Sequence, residues 1–128
     1  MKIAIGSDHA GYQLKKTIIN KFKDKVKFKD VGTYSEERVD YPDYAHLAAK
    51  ELNSNKVDRI VLICGSGNGI QMTANKHNNV RCALCWNEEI TQLARQHNDA
   101  NAISLPARFI NEVEAEKIVE AFIKTTFE

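Results

Sequence analysis

Five short runs that read as strands alternate with five stretches of helical periodicity, and no other feature narrows the fold of this 128-residue chain as far. The runs fall at residues 2–6, 26–29, 60–63, 80–85 and 102–105. Val26-Lys27-Phe28-Lys29 alternates apolar and charged residues, the pattern of a half-exposed edge strand. Ile60-Val61-Leu62-Ile63 is apolar throughout, the pattern of a strand buried on both faces. Between the runs, Leu14, Ile18 and Phe22 recur every four residues, and so do Tyr44, Ala48 and Leu52. Ile90, Leu93 and Ala94 make a further stripe that His97 extends, and Ala115, Ile118, Val119 and Phe122 make the last. Parallel strands need long crossovers, and a helix after each strand covers both faces of a parallel sheet.

The expected fold is therefore α/β, a single-domain, doubly wound, Rossmann-like five-stranded parallel sheet flanked by helices on both faces, over residues 1–128. That length buries one core without staples, and no repeat, low-complexity tract or linker divides it. With 43% hydrophobic and 27% charged residues and a formal net charge of +1, the composition is that of a soluble globular protein. It gives no footprint for nucleic acid or an anionic membrane. The N-terminus reads straight into a strand without a signal-like leader, and no apolar run approaches membrane-spanning length. Three cysteines, an odd number without framework spacing, suggest reduced thiols in a cytoplasmic protein. Cys82 and Cys85 form a C-x-x-C whose side chains, on a strand, point to opposite faces, so core packing is expected of them rather than redox or zinc chemistry.

Chemistry concentrates at Cys64-Gly65-Ser66-Gly67-Asn68-Gly69, between the run at 60–63 and an amphipathic stretch opening at Ile70. A strand, alternate glycines and a helix start aim several backbone N–H groups at one point, which suits an anion. Glycine lets a ligand approach the backbone and permits positive φ. Two phosphate motifs fail here. The dinucleotide fingerprint needs glycine where Ile70 stands, and the P-loop spacing of Gly6 and Gly11 is followed by Tyr12 and Gln13 instead of Lys and Ser or Thr. A nucleotide cofactor is not supported. On the loop alone, a buried core cysteine in a tight turn explains Cys64 equally well.

Ligands of such sheets sit at the carboxyl ends of strands where the strand order reverses. If the first and third strands are neighbours, Asp8 and His9 lie there beside residues 64–69. Asp8 is also placed to cap the first helix, and Pro42 suits a first helical turn. His97 and Asn98 end the fourth helix, which carries them to the other end of their own sheet. They would reach such a site by crossing into a second copy, which points to a homodimer with shared sites. Taken singly, His97 reads as a capping or core-edge residue, His9 as a helix-start residue, Tyr41 as a hydrophobic staple and Arg108 as a surface arginine.

Together, Gly6-Ser7-Asp8-His9-Ala10-Gly11, Asp40-Tyr41-Pro42-Asp43-Tyr44, Cys64-Gly65-Ser66-Gly67-Asn68-Gly69, Ala74-Asn75-Lys76 and Arg95-Gln96-His97-Asn98-Asp99-Ala100-Asn101 resemble the ribose-5-phosphate isomerase B family, whose relatives include galactose-6-phosphate isomerase subunits. The resemblance implies an aldose–ketose isomerase for a small sugar phosphate, acting without metal or organic cofactor as a homodimer whose sites use both subunits. It assigns to Cys64 the 1,2-proton transfer, to Ser66 a hydroxyl beside the proton's path, and to Gly65, Gly67, Asn68 and Gly69 the loop that holds the enediolate oxygens. His97 would assist ring opening, Asn98 would contact the substrate, and Asp8 and Tyr41 would line the sugar. His9 and Arg108 would hold the phosphate. These roles agree with general chemistry, since a thiol at a helix start is favoured as thiolate, imidazole moves protons near neutrality, and each preorganised oxyanion donor is worth about 2.7–4 kcal/mol.

Members of the family usually continue past the last helix into a Gly-Gly-Arg-His-x-x-Arg segment whose arginines help bind phosphate. This sequence ends at Phe127-Glu128, so either further residues follow or phosphate falls to His9 and Arg108 with less help. The motifs specify the reaction better than the sugar, which leaves a six-carbon substrate, allose 6-phosphate or galactose 6-phosphate, as the alternative to ribose 5-phosphate. A non-catalytic phosphate- or nucleotide-binding module on the same loop is the reading from another class.

Overall fold

The computed structural model describes all residues, 1–128. Strand β1 (Lys2–Ser7) runs through a single 3-10 turn (His9–Gly11) into α1 (Tyr12–Phe22), and β2 (Lys27–Asp30) leads by a loop to α2 (Tyr41–Asn53). Then come β3 (Arg59–Cys64), α3 (Asn68–Ala74), β4 (Cys82–Leu84), α4 (Glu88–Asn98), β5 (Ala102–Pro106) and α5 (Glu112–Lys124). The five strands form one parallel sheet in the order β2-β1-β3-β5-β4. The alternating strand β2 is at the edge and the wholly apolar β3 at the centre, where each residue type loses most or least by exposure. The order reverses between β1 and β3, which are hydrogen-bonded neighbours with Ser7 opposite Ile63.

Two cores flank the sheet. On one face Leu14, Ile18 and Phe22 of α1 and Ala115, Ile118, Val119 and Phe122 of α5 cover Ile5, Ile63 and Leu105. On the other, α2 and α3 cover Ala4, Leu62 and Cys64. Cys82 lies in the second core and Cys85 in the first, so the C-x-x-C pair does straddle the sheet. No helix is long and apolar enough to cross a membrane.

Three local expectations need correction. Ala48 is buried as expected, but Tyr44 and Leu52 are only half-buried, and their places are taken by Ala45 and Ala49, small residues that let α2 approach the sheet closely. In α4 the buried residues are Thr91, Ala94 and Arg95, while Leu93 is 39% exposed and His97 is exposed. The inner face of α4 is turned by one residue from its apolar stripe because Arg95 points inward, donating to Thr125 O (3.0 Å), Asp99 Oδ1 (2.9 Å) and Ala100 O (2.7 Å). Finally, β4 starts only at Cys82. The Asn75 amide accepts from Cys82 N–H and donates to Cys82 O, occupying the edge where another strand would pair.

Candidate active site

The carboxyl ends of β1 and β3 meet where Asp8 N–H donates to Ile63 O at 3.2 Å. Asp8 then turns the chain, its Oδ1 accepting from Ala10 N–H (3.0 Å) and Gly11 N–H (3.2 Å). Asp8 thus caps the 3-10 turn, and α1, the helix expected to take that cap, starts behind it at Gly11 without a side-chain cap. The His9 ring is held from outside, with Nδ1 at 3.2 Å from both the N–H and the carbonyl of Val39, in the loop before α2.

Cys64 is the last residue of β3, 5% exposed, on the face covered by α2 and α3. Behind it the chain is zipped to the end of β5, with Ala107 N–H donating to Cys64 O (2.9 Å) and Arg108 N–H to Gly65 O (3.0 Å). That pairing lays the Arg108 side chain across Gly65, where a Cβ would stand 3.2 Å from Nη1. Gly67 caps α3 with φ +77°, a conformation few L side chains adopt. Tyr41 rests on Gly69, where a Cβ would be 2.4 Å from the phenol Cζ and 2.7 Å from its hydroxyl. The Ser66 hydroxyl accepts from the backbone N–H and the Nδ2 of Asn68, both at 3.3 Å.

The alternate glycines thus let two side chains from distant elements close over the loop that starts at the thiol. Of the expected residues, the structure brings Asp8, His9, Tyr41, Cys64, Gly65, Ser66, Gly67, Asn68, Gly69 and Arg108 to the carboxyl edge of the sheet. His97 and Asn98 lie at the opposite edge, where Asn98 O accepts from Arg81 Nε (2.8 Å) just before β4. Within one chain they do not meet Cys64. The role of Val39 in holding His9 carries no sequence signal, because it depends on a loop folding back thirty positions.

Burial pushes the Cys85 thiol up to about 11, and the Cys82 thiol higher still, so neither supplies thiolate at neutral pH. Ile70, where a dinucleotide fingerprint would need glycine, is a fully buried core side chain.

Known proteins agree with this architecture. The family model described as Ribose/Galactose Isomerase matches residues 3–128. Ribose-5-phosphate isomerase B of Escherichia coli is 40% identical over 128 residues, 99% of this chain and 86% of that protein. The crystal structure of a ribose 5-phosphate isomerase from Thermotoga maritima superposes with a TM-score of 0.96 at 45% identity, covering 98% of this chain and 88% of that one. That of ribose-5-phosphate isomerase B from Mycoplasma genitalium with bound ribulose-5-phosphate gives 0.94 at 43% identity, covering 99% and 86%. A match across nearly the whole chain, on the same five-stranded sheet, means that this chain belongs to the ribose/galactose isomerase family and is an enzyme of the isomerase class.

Proposed function

We propose that the chain interconverts ribose 5-phosphate and ribulose 5-phosphate without metal or organic cofactor. His97 of a second copy opens the sugar ring by moving a proton between the ring oxygen and the anomeric hydroxyl. The Cys64 thiolate then takes the proton from C2 of the open aldose, and electrons flow into the carbonyl to give an enediolate. Backbone N–H groups of residues 65–69 hold its oxygens, with the Ser66 hydroxyl alongside. Return of the proton to C1, with the O2 proton transferred to O1, gives the ketose. Asp8, Tyr41 and the second copy's Asn98 line the sugar, and His9 and Arg108 hold the phosphate. The three thiols, all free, fit a reducing cytoplasm.

One observation carries this reading: Tyr41 and Arg108 rest on Gly69 and Gly65 around a loop that begins at a thiol. It is supported by a relative, 43% identical, that carries ribulose-5-phosphate. The test is ribulose 5-phosphate formation by the wild type and by Cys64→Ala, where unchanged turnover in the variant removes Cys64 as the base. Shared sites are tested by mixing Cys64→Ala with His97→Ala. Mixed dimers keep one intact site, so about a quarter of wild-type activity returns on re-equilibration, and none returns if each chain acts alone. The family's description includes galactose, and a higher kcat/KM for galactose 6-phosphate or allose 6-phosphate would move the substrate to six carbons.

A further inference from the structure

Lys15 stands on the inner face of α1 between Leu14 and Ile18, and its side chain is 1% exposed. An ammonium is costly to bury unless fully paired, and an apolar residue would fill the same space without that cost. Its pairing is specific. Nζ donates to Asp30 Oδ1 at 2.5 Å and to Thr33 O at 2.6 Å, with the Tyr34 ring centred 5.3 Å away on the outer side. The same Asp30 Oδ1 accepts from Gly32 N–H at 2.9 Å, so one ion pair folds the whole turn after β2. That turn is stitched both ways to the end of β1. Ser7 N–H donates to Gly32 O and Thr33 N–H to Ser7 O, each at 2.8 Å, and the next residue is Asp8. Beyond the turn, the same loop supplies Val39 to the His9 ring.

We propose that Lys15 is a positioning residue: by pinning the turn at residues 30–33 it fixes both the strand end that presents Asp8 and His9 and the loop that orients the His9 imidazole. It reaches the pocket through these groups and never touches substrate. This rests on the reading of His9 as a phosphate ligand, so one readout of the test is independent of catalysis.

Lys15→Met keeps the length of the side chain and removes its charge. Its expected effect is a rise in KM for ribose 5-phosphate of about tenfold with kcat within about threefold of wild type, as for a displaced binding group. In imidazole nitrogen NMR spectra, assigned with His9→Gln, the His9 Nδ1 signal shifts while that of His46 does not. A folded variant with unchanged KM and an unchanged His9 signal overturns the proposal even if its melting temperature falls, because Lys15 then serves stability alone. A KM rise without a His9 shift overturns it too. A His9 shift with unchanged KM keeps the positioning and removes His9 from the phosphate site. Should Lys15→Met not fold, Asp30→Asn carries the same two readouts in the same direction with smaller size, and no shift there overturns the proposal. If the wild type itself does not isomerise ribose 5-phosphate, the proposed function fails and the His9 signal alone decides the role of Lys15.

Discussion

The two edges of the sheet are both polar, and they are built on opposite plans. At the amino edge the polar groups satisfy one another. Arg95 has three acceptors, Arg81 Nε has Asn98 O, and Asn101 accepts from Arg81 N–H (2.8 Å) and donates to Asn79 O (2.7 Å). At the carboxyl edge Tyr41 and Arg108 lie against bare glycine backbone, beside a thiol. A saturated network holds a fold, because each buried donor or acceptor left unpaired costs about 1–3 kcal/mol. Polar side chains that rest on glycine backbone, as Tyr41 and Arg108 do, keep their hydrogen bonds for something else. His97 is the exception at the amino edge, an exposed imidazole beyond the network, as a residue offered to a second copy would be.

The sharpest division of labour between the edges comes from paired substitutions. Cys64→Ala should lower kcat by about a thousandfold, the weight of a general base, while leaving the melting temperature within a few degrees. Arg95→Met should do the reverse. It strips the donor from Thr125 O, Asp99 and the buried Ala100 O, and should lower unfolding stability in urea by about 3 kcal/mol. The surviving folded enzyme should keep kcat within a few-fold. A large kcat loss in Arg95→Met without loss of stability would break the comparison and make the amino edge part of the site.

Much of the carboxyl edge was legible before any coordinates. Alternation of period two against period near four separates strands from helices, Asp8 and Pro42 mark helix starts, and the alternating run at 26–29 announces an edge. Cys64 and its glycines are local in sequence, so their grouping needs no tertiary knowledge. The failures are tertiary. The inner face of α4 is set by what Arg95 can reach, in particular Thr125 at the end of the chain, and no periodicity encodes that contact. Of the expected α2 stripe Ala48 is buried, but Tyr44 and Leu52 give way to Ala45 and Ala49, because size reads as burial whereas close helix–sheet approach selects small residues. A lysine on a helix reads as surface, and Lys15 becomes a core residue only once Asp30 and Thr33 are folded against it.

Smaller effects refine the comparison. Gly69→Ala puts a methyl within 2.4 Å of Tyr41 Cζ, and since Tyr41 is itself partly exposed, its ring can swing outward instead of unfolding α2. The expected result is a kcat/KM lower by about tenfold with little change in melting temperature. A normal kcat/KM would remove Tyr41 from the pocket.

The finest test separates two thiols at the same end of the sheet. Cys85 follows β4 and enters the core on the opposite face of the sheet from Cys64, donating to Ala83 O at 3.6 Å, and burial pushes it from a usual value of 9.0 to about 11. A thiol raised in the folded state holds its proton where the unfolded chain has already lost it. Between pH of about 9 and 11 the unfolded state therefore binds fewer protons, and stability falls as pH rises, by up to about 1.4 kcal/mol per pH unit for this group. Below that window the thiol contributes no slope. Cys85→Ala should flatten this part of the stability profile in denaturant titrations at pH 8, 9 and 10, whatever it does to the level. A slope identical to wild type would mean that Cys85 is solvated in the folded protein, and the line between a core thiol and a site thiol would have to be redrawn.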